Sequence, residues 1–124
     1  MTKEGELYAK FLERAEVQPS GEIFLTGGAA QQFVMVCQSA GMAVLGIEGV
    51  RIDSDGVAPY LDVIADYSPR TLVPWEAYQE RCNRFAHDFL RNAIDEKGVG
   101  IYFCFETLGP DEYVECLRKL TSGT

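Results

Sequence analysis

Several residue types and patterns on which functional sites depend are scarce in this sequence. The 124 residues include one histidine and no Cys-x-x-Cys pair, so the usual ligands of a zinc site are missing. No run approaches the ~20 apolar residues that a membrane-spanning helix needs. Neither of the glycine-rich patterns that hold nucleotide phosphates, G-x-x-x-x-G-K-[ST] and G-x-G-x-x-G, occurs. We therefore expect no metal site, no membrane span and no cofactor.

Basic residues are also few. Lysine and arginine number 11 against 19 aspartate and glutamate residues, which gives a formal net charge of −8 at pH 7. Because nucleic-acid phosphates and anionic membrane surfaces are bound by cations, we predict neither as a partner. A basic protein would instead be attracted to a negative face.

The cysteines indicate a reducing environment. They stand far apart, at positions 37, 82, 104 and 116, and no apolar leader follows Met1. We therefore expect four reduced thiols and a cytoplasmic protein. The length is that of one ordinary domain, so residues 1–124 are assigned to a single domain.

The pattern of apolar residues predicts four helices and three strands. The strongest signal is a helical stripe that begins at a proline and ends before a glycine. An Asp-Gly turn between two extended runs predicts a hairpin. The predicted elements are a helix at 4–16, a helix capped by Thr26 and ended by Gly41, strands at 42–52 and 57–67, the long helix at 74–97, a strand at 99–106, and a helix that begins after Gly109.

This order of elements predicts an α+β fold. A hairpin and one further strand would form a small three-stranded, mainly antiparallel sheet, with about four helices packed on it. The direction of the third strand stays open, and residues 23 to 25 are either a brief strand or a buried connector. On the long helix, Phe85 and Phe89 are expected to be among the most buried side chains. Trp75, at its start, is expected to join the core.

Acidic residues concentrate in the predicted hairpin. Residues 41 to 68 carry five acids and one base, or −4, which is half of the net charge of the chain. Strands normally contain little aspartate, so the pattern favours a partner-binding surface. Its predicted members are Asp53, Asp55, Tyr60, Asp62, Asp66 and Tyr67.

A structural explanation of the same acids is a cross-strand ion pair between Asp62 and Arg51. Regular alternation places Asp62 and Asp66 on one face of the hairpin and Glu48 on the opposite face. The Asp-Gly turn resembles a calcium loop, but Arg51 stands where the first ligand belongs, so a plain turn is favoured.

Besides a structural subunit of a larger assembly, two classes of function remain open. One is non-catalytic binding of a basic protein, in which no residue is catalytic. The other is a small enzyme or ligand-binding domain in which Glu48, Asp62 and Asp66 form a carboxylate cluster. For the assembly, a monomer and a homodimer both stay open.

Several segments resemble immunity protein family 40, a family of bacterial polymorphic-toxin systems. They are residues 41 to 49 of the first predicted strand, the Asp55-Gly56 turn, residues 64 to 68 and the helix that begins with Trp75. The similarity spans roughly residues 26 to 106. The family tends to have Gly-Gly-Asp-Val-Tyr where this chain has Gly-Ile-Glu-Gly-Val at residues 46 to 50. The resemblance implies a cytoplasmic protein without catalytic activity that binds and blocks one cognate toxin domain.

Overall fold

A computed structural model describes residues 2–122. This part of the chain has four α-helices and one five-stranded sheet, which confirms the α+β class. The helices are α1 Lys3–Ala9, α2 Gly27–Ser39, α3 Trp75–Lys97 and α4 Pro110–Thr121, and the strands are β1 Ala15–Val17, β2 Ile23–Thr26, β3 Ala43–Asp53, β4 Gly56–Asp66 and β5 Tyr102–Leu108.

The prediction of three strands is wrong, because β1 and β2 add a second hairpin. α1 ends at Ala9, and a single 3-10 turn at Leu12–Arg14 leads into β1. Ala15 then pairs with Leu25. The apolar spacing of a helix continues through this region, but pairing with β2 satisfies the same backbone groups in an extended form. A turn at residues 18 to 21, with Gly21 at a φ of 93°, connects the two strands.

The strand order is β1-β2-β5-β3-β4, and every neighbouring pair is antiparallel. β5 enters between β2 and β3, which settles the direction that the sequence left open. β4 lies at one edge, as the proline at position 59 indicates, since proline cannot donate to a neighbouring strand. One side of β4 therefore has no partner strand among residues 2–122.

Helices α1, α2 and α3 cover one face of this sheet. Phe33 of α2 is fully buried at their junction, with its ring centroid 4.8 Å from that of Tyr8 and 4.7 Å from that of Phe105. A smaller cluster joins α3 to α4 through the stacked rings of Tyr78 and Tyr113, whose centroids are 4.6 Å apart. Trp75 packs against this second cluster and is half-buried, in agreement with its predicted core role.

The predicted boundaries of α2, α3 and α4 are accurate, but the expectation that Phe85 and Phe89 are among the most buried side chains is wrong. α3 ends before Gly98, and Thr26 caps α2 by accepting the Ala29 N–H at 3.4 Å. However, Phe85 is 45% exposed and Phe89 is only half-buried. The buried stripe contains Cys82, Ala86, Leu90 and Ala93. Small residues let α3 approach the sheet closely, which leaves Phe85 on the flank of the helix.

Candidate functional site

The face of the sheet opposite the three-helix core carries a group of exposed side chains. Glu48 lies across from Ile64 on one side and Cys104 on the other. Residues directly opposite each other in an antiparallel pair point to the same face, so these three share it. By the same pairing Asp66 and Glu106 flank Gly46 on this face. We call this surface the open face.

The position of Glu48 corrects the predicted register. A regular hairpin would place Glu48 opposite Leu61, away from Asp66. Instead, residues 60 to 63 of β4 lie opposite Gly49 alone, because Glu48 pairs with Ile64 and Val50 pairs with Pro59. This bulge needs glycine, since a Cβ at position 49 would stand 2.5 Å from Val63 Cγ1. The shift brings Glu48 to the same face as Asp66.

A shallow groove of about 340 Å³ crosses the open face. Four carboxylates line it: Glu22, Glu48, Asp66 and Glu106. Cys104 also lines the groove, and burial together with the nearby Glu22 carboxylate raises the pKa of its thiol to about 11. At neutral pH the thiol is protonated and unreactive.

Asp66 is held in the groove by two hydrogen bonds from Ser68. Its Oδ1 accepts the Ser68 hydroxyl at 2.5 Å and the Ser68 N–H at 2.9 Å. These bonds, with a smaller contribution from the Arg70 charge, hold the pKa of Asp66 below its usual range. Asp66 is therefore ionised at neutral pH, and it ends β4 with a fixed negative charge.

Asp62 does not pair with Arg51, and that prediction is wrong. The bulge moves Asp62 toward the end of α3, where its carboxylate accepts from Lys97 Nζ at 2.8 Å. This hydrogen bond lowers the pKa of Asp62. Lys97 also lies 5.1 Å from the ring centroid of Tyr60. Arg51 instead contacts Asp53 at 3.2 Å.

The six residues predicted to bind a partner therefore fall into separate places. Asp53 and Asp55 occupy the exposed hairpin tip, where the Asp53 carboxylate accepts the Asp55 N–H at 2.9 Å. Tyr60 and Asp62 surround Lys97, and of the six only Asp66 lines the groove.

Tyr67 lies between α3 and the end of β4. It is half-buried beside Phe85, with ring centroids 6.2 Å apart. Burial raises its pKa to about 12, with smaller contributions from Cys82 and Asp88. The phenol is therefore neutral at physiological pH and presents an apolar ring with a hydrogen-bonding tip.

Sequence reasoning did not include Glu22 and Glu106 in the site. The alternation in β5 could have identified Glu106, because buried Phe103 and Phe105 alternate with Tyr102, Cys104 and Glu106. Glu22 lies in the turn before β2, and only the strand order brings it to the groove.

β4 also presents unpaired backbone at the edge of the sheet. Tyr67 donates its N–H to the Leu45 carbonyl at 2.7 Å, so the backbone groups of Tyr67 face β3. Because these bonds alternate along an antiparallel strand, the backbone of Ile64 and Asp66 faces away from β3. Ile64 is 55% exposed and Leu61 is 83% exposed along this edge.

No family model matches the chain, and neither does any curated protein. The resemblance to immunity protein family 40 thus stays a prediction. Between residues 2 and 122, no three His, Cys, Asp or Glu side chains are close enough to hold a metal ion together. No helix in the same range combines the length and hydropathy of a bilayer crossing.

Proposed function

We propose that this protein binds a basic protein through its open face and has no catalytic role, and that the partner is the toxin domain of a bacterial toxin–immunity pair. The observation that carries this proposal is the grouping of Glu22, Glu48, Asp66 and Glu106 around one shallow, helix-free groove. A surface of this kind attracts a basic partner and orients it during the encounter.

The open face also offers apolar area and free backbone beside the charges. Exposed Ile64 stands next to Glu48 and Asp66. The backbone groups of Ile64 and Asp66 that face away from β3 lie at the same edge. Interfaces commonly combine an apolar centre with a charged rim. This combination favours a protein surface as the ligand over a small cation.

A carboxylate-based enzyme is the less favoured function. Its three predicted acids do not assemble, because Asp62 is held by Lys97 while Glu48 and Asp66 line the groove. A general acid at neutral pH needs a raised pKa, whereas the pKa of Asp66 is lowered by Ser68. An ionised, hydrogen-bonded aspartate is better suited to electrostatic recognition.

The proposal is tested by measuring association with purified toxin domains of bacterial toxin–immunity pairs, and a toxin-like reading frame found beside the gene would supply the first candidate. Glu48→Lys reverses the charge of an exposed residue for which no ion pair with another described residue is found. We expect the association rate at low salt to fall about tenfold or more, and the deficit to shrink at high salt. Asp66→Asn, which removes one charge, should give a smaller loss in the same direction. Thermal unfolding of each variant is measured alongside.

Glu13→Lys is the matched control. It makes the same change of net charge at an exposed position in the 3-10 turn before β1, across the sheet from β4. If it slows association as much as Glu48→Lys, net charge rather than the open face governs the encounter. If neither variant changes association, the proposed binding face is wrong. Asp55→Lys then decides whether the hairpin tip takes part, and light scattering of the protein alone separates a monomer from a homodimer.

A further inference from the structure

A second, smaller pocket lies where β4 ends and meets the first half of α3. Its volume is about 230 Å³. The walls combine aromatic rings, one thiol and two guanidinium groups with three short polar side chains. The lining residues are Asp66, Tyr67, Ser68, Arg70, Thr71, Tyr78, Arg81, Cys82 and Phe85.

The two arginines of this pocket form no salt bridge with any carboxylate of the described residues. Within residues 2–122, Arg51, Arg84, Arg91 and Arg118 each lie within 4.0 Å of an acid, and Arg14 bonds Gln32. Arg70 and Arg81 make neither kind of contact in the same range. In a chain with 19 acids, two unpaired guanidinium groups at one pocket provide a local positive site.

Asp66 is the acid among the lining residues, and it forms no salt bridge with either arginine of the pocket within residues 2–122. Its Oδ1 is taken by two hydrogen bonds from Ser68. Counting Arg70, Arg81 and Asp66, the formal charges of the pocket sum to +1. An incoming anion therefore finds a net attraction and unused N–H donors.

Hydrogen bonds among the lining residues and two aromatic rings form the floor of the pocket. The Tyr78 hydroxyl donates to the Tyr67 carbonyl at 2.6 Å, and Cys82 Sγ lies 3.8 Å from the same oxygen. Tyr67 and Phe85 stand side by side, and Phe85 keeps 45% of its surface exposed. A ring or a branched aliphatic group resting here would gain contact area without displacing a core residue.

We propose that this pocket binds a carboxylate carried on a small apolar body, with Arg70 and Arg81 holding the carboxylate and Tyr67, Tyr78 and Phe85 holding the body. The planar guanidinium fork matches a carboxylate and can bond both oxygens. The volume accommodates a single ring. Asp66 and Ser68 line both this pocket and the acidic groove, but the inference does not depend on the proposed function, because it rests on Arg70, Arg81 and the aromatic rings, none of which lines the groove.

The test is an NMR titration of the full chain with phenylacetate at neutral pH and low salt, with phenylacetamide as the neutral isostere. We expect saturable amide shifts at residues 67 to 71 and 78 to 85 for phenylacetate, and at least about tenfold weaker binding of the amide. Equal binding of acid and amide, or no saturable shift from either, would overturn the proposal.

Arg81→Gln and Arg70→Gln should each weaken phenylacetate binding by about tenfold. Arg81→Lys keeps the charge without the fork and should fall between Arg81→Gln and the wild type. Arg118→Gln, on α4, is the matched control, since it removes an arginine that already pairs with Glu115. An equal loss in the Arg118 variant would mean that the acid senses only net charge.

The carboxylate could belong to a free metabolite or to a protein chain, and a second ligand separates the two. N-acetyl-Gly-Phe with a free carboxyl terminus presents the same ring and charge on a peptide. Tighter binding of this peptide than of phenylacetate assigns the pocket to a protein carboxylate, whereas weaker binding assigns it to a small acid. Loss of binding in Arg81→Gln but not in Arg118→Gln is required in either case.

Discussion

The outer edges of β5 and β4 differ in how their unpaired backbone groups are satisfied. We call the edge of β5, which α1 covers, the covered side. Beyond the short β2, the edge of β5 is completed by side chains of α1. The Tyr8 hydroxyl accepts the Phe105 N–H at 2.8 Å and donates to the Phe105 carbonyl at 3.2 Å. Glu4 accepts the Thr107 N–H at 2.8 Å and the Thr107 hydroxyl at 2.6 Å. At β4, by contrast, the backbone of Ile64 and Asp66 faces away from its only partner strand.

This difference suits the edge of β5 to stabilising the fold and the edge of β4 to recognising a partner. On the covered side the unpaired backbone of a strand is satisfied by hydroxyl and carboxylate groups from a helix, so that edge is unavailable to another chain. On the β4 side a partner can reach both the backbone and the acids. Pro59 and the bulge at residues 60 to 63 shorten this edge, which limits indiscriminate strand pairing. Only a short segment near the groove is left for a specific partner.

The largest expected effect tests whether the core lies on the helix-covered face of the sheet rather than on the open face. Phe33→Ala removes a fully buried ring that contacts Tyr8, Phe11 and Phe105. We expect a loss of about 3 to 5 kcal/mol in the free energy of unfolding, measured in urea. Ile64→Ala, which truncates an exposed residue of the open face, should cost about 0.5 kcal/mol or less. Comparable losses would mean that the open face is part of the stabilising core.

The second effect tests whether the Tyr8 hydroxyl of α1 supplies the hydrogen bonds that a neighbouring strand would otherwise make to β5. Tyr8→Phe keeps the ring but leaves the buried N–H and carbonyl of Phe105 without a partner. We expect a loss of about 1 to 3 kcal/mol in the free energy of unfolding, because desolvated backbone groups are costly when unpaired. Burial raises the pKa of the Tyr8 hydroxyl well above its usual range, so it stays protonated and able to donate.

Tyr60→Phe is the matched control for Tyr8→Phe. The Tyr60 ring packs against the edge of the core, and its hydroxyl makes no hydrogen bond to any other described residue. Its loss should leave stability nearly unchanged. Equal effects of the two substitutions would show that the Tyr8 hydroxyl is not a substitute for a strand.

The sequence predicts α2, α3 and α4 better than the open face. The boundaries of these helices follow from local chemistry, such as the Thr26 cap and the proline at position 110, whereas the end of α1 depends on the pairing of β1 with β2. The expected burial of Phe85 and Phe89 is wrong, because periodicity does not say which of two adjacent residues in the apolar stripe, such as Phe85 or Ala86, faces the sheet. That choice depends on how closely the helix approaches β3.

The open face depends on features that alternation cannot reveal. Glu48 reaches it only because the bulge opposite Gly49 shifts the register by an odd number of residues. Glu22 reaches it only because β5 enters between β2 and β3. Long-range pairing fixes both positions, and neither leaves a local signal. The concentration of acids in the hairpin was visible in the sequence, whereas their division among the tip, the groove and Lys97 was not.

The smallest expected effect concerns the ion pair between Lys97 of α3 and Asp62 of β4. Lys97 of α3 holds Asp62 at 2.8 Å, while 59% of the Asp62 side chain remains exposed. Pairs this exposed contribute little, because solvent and salt screen them. We therefore expect Asp62→Asn to lower the melting temperature only slightly at neutral pH. Its pH dependence is the more informative measurement.

The hydrogen bond from Lys97 lowers the pKa of Asp62 in the folded state. Stability from this group is therefore present above the ordinary aspartate pKa of about 3.9 and is lost as the pH falls through the lowered folded value. The melting temperature of wild type minus that of Asp62→Asn should accordingly be small and positive at neutral pH and approach zero in acid. Asp66, whose pKa is also lowered, titrates in both proteins and cancels in this difference. Lys97→Met should behave in the same way, because it removes the other half of the pair. A difference in melting temperature that persists in acid would mean that residue 62 stabilises β4 by packing rather than by charge. The two edges would then differ only in the hydrogen bonds that α1 makes to β5.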